Sequence, residues 1–220
     1  MSMSEQPTSA SSAGGDIEMR AALAAGWKAH DLDWERLQEQ GNACFEQGDA
    51  AGAARAWRRA RWIAMFRFAL SDPRRATTLA NLALLDRMAG HEAKACARYR
   101  RASRKWERVG GFIETMNIAR RARSSLFHLR MEARHWDTYT DNTRKRFAAF
   151  AAETARALDC LAGNRPVEVR LFGRWRGEKP SVFDDTRKFL SAALLIGGGA
   201  GQPGAKEAPP SETQAPPDGE

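Results

Sequence analysis

Arginine is the residue type through which this chain could do the most chemistry. Of its 35 basic residues, 28 are Arg, and they cluster between positions 55 and 61 and between positions 98 and 108. Guanidinium groups bind phosphate, and aromatic rings interleaved with them could stack on bases. An arginine-rich nucleic-acid-binding protein is therefore the alternative hypothesis. We do not favour it, because the rings inside these clusters, Trp57, Tyr99 and Trp106, also hold core positions of a helical pattern.

No combination of residues suggests a catalytic or metal site. His91 and Cys96 are five positions apart, which places them on different sides of a helix. The glycines within residues 197–201 lack the Lys-Ser/Thr pair and the preceding strand of a phosphate-binding loop. We therefore predict that the protein is not an enzyme and holds no metal or cofactor. Cys44, Cys96 and Cys160 are expected to be buried, reduced thiols on apolar helix faces.

A repeat of 42 residues organises the elements that carry these side chains. The first copy has Gly41, Gly48, Ala53, Trp57 and Ala60, and the second has Ala83, Gly90, Ala95, Tyr99 and Ala102. Small residues allow two helices to approach closely, and glycine closes the end of a helix. Two copies of a helix-turn-helix unit are therefore predicted, with Trp57 and Tyr99 as equivalent buried aromatics.

This spacing resembles that of the tetratricopeptide repeat (TPR) family, over residues 34–67 and 76–109. The resemblance implies an all-α, short helical solenoid that binds a partner rather than a catalyst. The usual TPR unit has 34 residues, so we predict that the second helix of the first unit is longer and runs unbroken from about Ala51 to Leu70. A HEAT-type unit is the alternative reading of a repeat of this length.

The resemblance also implies a binding groove on the first helices of the units. One version of the family holds a partner's C-terminal carboxylate with Asn from the first two repeats and basic side chains around them. The positions that match or surround this clamp are Gln38, Asn42, Asn81, Arg87, Arg120, Arg121 and Arg123. Gln38 stands where the family has Lys. The predicted partner is a protein or peptide, acidic or carboxylate-ended, to which Asn42 and Asn81 supply neutral hydrogen bonds and an arginine of the 120–123 cluster supplies charge. Asn42 and Arg121 are expected to face solvent in the free protein. Alternatively, Asn42 bridges helices as part of the fold.

Four segments are predicted along the chain. Residues 1–15 form a disordered tail, residues 16–162 a helical domain of about three units, residues 163–196 a C-terminal segment, and residues 197–220 a second disordered tail. Helices over residues 112–134 and 138–161 make the third unit. The C-terminal segment has a short strand over residues 167–172 and a helix capped by Asp184 or Asp185, which covers the open end of the last repeat or mediates dimerisation.

Composition and charge add little about the biological process. The chain has 43% hydrophobic and 28% charged residues and a formal net charge of +8. Its longest apolar stretch, residues 189–196, is shorter than the roughly 20 residues that cross a bilayer, and it has no signal-peptide pattern. We therefore expect a cytoplasmic protein that does not bind membranes. The oligomeric state stays open.

Overall fold

The computed structural model describes residues 10–119, 126–165, 167 and 182–193, and all the regular structure in these ranges is helical. The helices are α1 (Ala10–Ala24), α2 (Ala29–Glu46), α3 (Ala50–Arg67), α4 (Arg74–Met88), α5 (Glu92–Trp106), α6 (Gly110–Glu114), α7 (Leu126–Ala162) and α8 (Asp185–Ala193). For these residues the predicted all-α class is confirmed.

Two helical hairpins correspond to the two sequence copies. α2 packs against α3, α4 packs against α5, and α3 joins the hairpins by packing against α4. Gly48 and Gly90 have φ values of 82° and 76°, the left-handed conformation that closes a helix. In each turn the residue after the glycine donates its N–H to the carbonyl five residues earlier, at 2.8 Å. The repeat thus reproduces one turn geometry twice.

The helices of the first hairpin meet closely at Gly41. A Cβ added to Gly41 would lie 2.3 Å from Nε1 of Trp57. Ala83 and Tyr99 hold the equivalent positions in the second hairpin, and both are buried. A phenol ring is smaller than an indole, so the second hairpin accommodates alanine where the first requires glycine. The predicted burial of Trp57 and Tyr99 is confirmed.

The predicted continuation of α3 to Leu70 is wrong. α3 ends at Arg67, and Phe68 is extended, with φ −109° and ψ 149°. This turn buries Phe68 against Trp34 of α2, with 6.3 Å between ring centroids. The Phe68 carbonyl accepts a hydrogen bond from Nη1 of Arg75 at 2.9 Å. The helix therefore ends where Phe68 makes a tertiary contact, and the periodicity of the sequence gives no sign of that contact.

The predicted division of the third unit is also wrong. In place of helices over 112–134 and 138–161, the structure has the short α6 and one helix, α7, from Leu126 to Ala162. Residues 135–137 are His-Trp-Asp, and without Gly or Pro nothing there stops a helix. α7 packs against α5 and so adds a further layer to the hairpins.

The N-terminal segment contains a helix within the predicted tail of residues 1–15. α1 begins at Ala10. Arg36 of α2 donates to the Gly15 carbonyl at 3.3 Å and pairs with Glu18 at 3.3 Å. These polar contacts hold a segment whose low apolar content indicated disorder. Residues 1–9 and the predicted tail over 197–220 lie outside the described residues.

The predicted C-terminal helix is present as α8. Asp184 caps it, because its Oδ1 accepts the N–H of Arg187 at 3.1 Å. Of the predicted strand over 167–172, all but Val167 lies outside the described residues. The expected position of the helix at the open end of the last repeat differs from the structure, in which α8 packs against α4 and α2. The charges described next explain that placement.

Candidate functional site

The candidate site is the surface that α2, α4 and α7 turn towards α8, which we call the inner face. Buried polar residues follow one another along α2 and α4 at intervals of about one turn. They are Asp31, Glu35 and Gln38 on α2, and Arg74, Thr77 and Asn81 on α4. Polar side chains of this kind are mostly exposed in proteins, so a buried row of them requires specific partners.

Glu35 holds α8 through a buried ion pair. Arg187 of α8 donates from Nε to Glu35 Oε1 at 3.1 Å and from Nη2 to Oε2 at 2.7 Å. The hydroxyl of Ser191 also donates to Glu35, and Glu18 of α1 accepts from Arg187 at 3.0 Å. Burial alone lowers the pKa of Arg187, but the hydrogen bonds and charges of Glu35 and Glu18 outweigh burial and raise it. The guanidinium therefore stays charged inside the protein.

Thr77 holds α8 from the second hairpin. It stands 42 residues after Glu35, at the equivalent position of the repeat. Its hydroxyl donates to the carbonyl of Ala192 at 2.6 Å, which satisfies one of the acceptors left open at the end of α8. Equivalent positions of the two copies thus bind the same helix, one through a carboxylate and the other through a hydroxyl.

Phe189 provides the apolar contact of α8. Its ring is fully buried and stacks on Phe147 of α7, with centroids 4.5 Å apart and an interplanar angle of 7°. Trp106 of α5 meets the same ring edge-on, with centroids 5.7 Å apart. α8 is therefore an amphipathic helix that inserts an aromatic ring between the helices and directs its basic groups to α1 and α2.

A second charged cluster lies where α4 begins. Arg74 pairs with Asp31 and with Asp72, each at 2.6 Å, and its guanidinium carbon lies 3.5 Å from the centre of the Phe68 ring. Burial raises the pKa of Asp31, but the charge and hydrogen bonds of Arg74 outweigh burial and lower it. Lys188 of α8 lies 3.8 Å from Asp31. The inner face thus offers an excess of carboxylates, and α8 supplies basic groups.

The predicted amide clamp bonds within itself. Asn81 donates to Gln38 at 3.1 Å, and Gln38 donates to Asn42 at 3.2 Å. Asn42 also accepts from Nε1 of Trp57 at 3.3 Å. Asn42 is half-buried and Asn81 fully buried, so Asn42 is only partly open to solvent and Asn81 is closed to it. Asn42 accepts this indole N–H from the neighbouring helix, so it bridges α2 and α3, which is the alternative stated for this residue.

Arg87 points away from the other predicted groove residues. Its Nη2 donates to the Leu161 carbonyl at 2.6 Å and to Asn164 at 2.7 Å, and it pairs with Glu92 at 3.0 Å. Arg87 therefore attaches α4 to the end of α7. Its guanidinium also lies over the Tyr99 ring, 5.0 Å from the centre. The remaining predicted groove residues, Arg120, Arg121 and Arg123, lie outside the described residues.

The described part of the chain has no candidate metal site and no candidate membrane-spanning helix. Within it, no group of three or more His, Cys, Asp or Glu side chains could hold a metal ion, and no helix combines the length and apolarity that cross a bilayer. Cys44, Cys96 and Cys160 are free thiols and half-buried, rather than fully buried as predicted. Comparisons with protein-family models, with curated proteins and with solved structures found no match to this chain.

Sequence reasoning missed the residues that join α8 to the inner face. A signal was present in the charges: α2 has five acidic residues and one Arg, whereas α8 has adjacent basic residues before its buried Phe. Opposite charges 150 residues apart do not by themselves identify a contact. The acidic residues of α2 are Asp31, Asp33, Glu35, Glu39 and Glu46.

Proposed function

We propose that this protein is a non-enzymatic interaction scaffold of the TPR type, an adaptor or assembly factor whose inner face binds a helix of a partner protein. One observation carries the proposal: the inner face holds an amphipathic helix, α8, through Glu35 and Thr77, equivalent positions of the two repeats. Helix-in-groove binding is a recurring mode of recognition between proteins. A cytoplasmic location stays a prediction.

The chemistry of the inner face favours a basic, amphipathic helix as the ligand. Arg187 and Lys188 meet carboxylates in this face, and Phe189 fills its apolar part. An acidic segment in the same place would bring like charges together at Asp31 and Glu35. The acidic or carboxylate-ended partner predicted from the sequence would thus depend on the arginines at 120–123, outside the described residues.

A competition experiment tests the proposal. A fluorescent peptide with the sequence of residues 183–196 is titrated into the full-length wild type and into Phe189→Ala. The internal helix competes at a high effective concentration, so the wild type should bind the peptide weakly. Phe189→Ala loosens that helix and should bind the peptide at least tenfold more tightly, as measured by fluorescence anisotropy.

The matched control is a peptide in which the residues corresponding to Arg187 and Phe189 are both replaced by Ala. It should bind neither protein. If Phe189→Ala does not fold, Arg187→Gln is the second variant, because it keeps the shape of the side chain. Equal binding of both peptides, or none by either folded variant, would contradict helix recognition by the inner face.

A further inference from the structure

An exposed aromatic pair lies on the outer side of α3, away from the inner face. Trp62 and Phe66 are 61% and 62% exposed, and their ring centroids are 4.7 Å apart. Met65 and Leu70 extend this apolar surface and are also exposed. These rings do not hold the core positions of the repeat, which belong to Trp57 and its equivalent. They are therefore free to receive a ligand on a surface that water would otherwise cover.

The first half of the same side of α3 is basic. Arg55, Arg58 and Arg59 precede Trp62 by one or two turns on this side, and all three are exposed. α3 as a whole has five Arg and no acidic residue. Within the described part of the chain, no carboxylate lies within ion-pair distance of these three arginines. By contrast, the basic groups Arg187 and Lys188 of α8 both meet carboxylates of the inner face.

The basic surface continues from α3 towards α5. The pKa of Arg61 is lowered by burial and by the charges of Arg98 and Arg101. The pKa of Lys105 is lowered by burial and by the charges of Arg75, Arg108 and Arg101. Arg61 and Lys105 are half-buried with these cations as neighbours, so a bound anion would stabilise the charges of this surface. Of this set only Arg98 pairs with a carboxylate, Asp86, among the described residues.

We propose that this outer face, formed by Trp62 and Phe66 with Arg61, Arg101 and Lys105, binds single-stranded nucleic acid. The exposed rings stack on bases, and the cations beside them hold the phosphates. The prevalence of Arg fits this ligand, because guanidinium binds phosphate through two hydrogen bonds and stacks on rings. This activity is independent of the scaffold proposed for the inner face.

The partial burial of two of these cations argues against a membrane as the ligand. Trp62, Phe66 and the arginines around them could also approach an anionic lipid surface. A bilayer contacts the groups that protrude from a protein, however, and Arg61 and Lys105 are half-buried. A flexible single strand can bring its phosphates to half-buried cations. It therefore accounts for both the exposed rings and the recessed cations.

The experiment measures binding of a fluorescein-labelled 12-nucleotide oligothymidylate to the full-length protein by anisotropy. Affinity should fall about 20-fold between 50 and 200 mM salt if about three phosphates are held. Trp62→Ala should weaken binding about five- to 150-fold, the range for loss of one stacked base. Arg101→Gln should lower the slope of log affinity against log salt by about 0.7.

Matched variants on α7 serve as controls. Tyr139→Ala removes another exposed ring, and Arg146→Gln removes another exposed charge. Both should leave binding within twofold of the wild type, and all four variants should keep the helical circular dichroism of the wild type. Equal losses in Tyr139→Ala and Trp62→Ala would overturn the proposal.

Two further ligands distinguish the sources of negative charge. A 12-base-pair duplex should bind at least fivefold more weakly than the single strand, because its bases are not available for stacking. Vesicles of phosphatidylcholine and phosphatidylserine at 7:3 should not recruit the protein at 150 mM salt. Recruitment to vesicles that depends on Trp62, without binding of the oligonucleotide, would assign this surface to membranes and overturn the proposal.

Discussion

The inner and outer faces of the hairpins differ in whether their basic groups are paired with carboxylates. On the inner face, Arg187 and Arg74 are buried and each meets two carboxylates. On the outer face, Arg61 and Lys105 lie among other cations. A buried, paired charge contributes through its partner and is costly to separate, whereas an exposed charge contributes little to stability. The same residue type therefore stabilises the fold on one side and remains available for ligands on the other.

Removal of one guanidinium from each face is the most direct way to test this contrast. Arg187→Ala leaves Glu35 buried without its cation, and we expect a loss of about 3–5 kcal/mol in the free energy of unfolding. Arg101→Ala on the outer face should change it by less than about 0.5 kcal/mol. Urea denaturation monitored by circular dichroism measures both. Similar losses in the two variants would remove the distinction between the faces.

The second prediction concerns the seam between the faces, where α2 meets α3. Gly41→Ala improves helix propensity, but its Cβ would lie 2.3 Å from the Trp57 indole. The overlap should dominate and lower stability by about 1–3 kcal/mol. Adding Trp57→Tyr reproduces the pair Ala83 and Tyr99 of the second hairpin and should restore part of the loss. If Gly41→Ala alone is more stable than the wild type, the seam between α2 and α3 is loosely packed.

The smallest expected effect is a change in pH dependence. The pKa of Asp31 is lowered in the folded state, so its carboxylate contributes stability at neutral pH that is lost as the pH falls through the lowered pKa. Between pH 7 and pH 3, the melting temperature of the wild type should therefore fall more than that of Asp31→Asn. Glu107→Gln, at an exposed position directly after α5, should retain the fall in melting temperature of the wild type. Calorimetry at fixed ionic strength measures all three proteins, and a parallel fall in all of them would contradict the role of Asp31.

Local signals in the sequence were sufficient to predict the two hairpins. The glycine positions, the small residues and the aromatic of each copy predicted both turns and the burial of Trp57 and Tyr99. These residues interact within about 15 positions of one another, so their spacing in the sequence is enough to predict the interaction. Asp184 was likewise recognisable as a cap, because its hydrogen bond is made three residues along the chain.

Contacts between distant segments account for two predictions that were wrong, the end of α3 and the position of α8. α3 ends early because Phe68 packs on Trp34, and α8 lies on the inner face because Arg187 meets Glu35. Both predictions used the spacing of apolar residues within one helix. That spacing does not show that Trp34 packs on Phe68 or that Glu35 pairs with Arg187. The burial of Asn81 depends on a distant partner in the same way, since Asn81 donates to Gln38 on the neighbouring hairpin, 43 residues away.

The distance along the chain between Glu35 and Arg187 sets an order of events during synthesis. The two residues are 152 positions apart. At roughly 5–20 residues per second, Arg187 is made about 8 to 30 seconds after Glu35. Helices form in microseconds, so the hairpins have ample time to fold before α8 exists. For that interval every nascent chain presents an open inner face, and a partner that meets the chain at the ribosome encounters the groove before its internal helix.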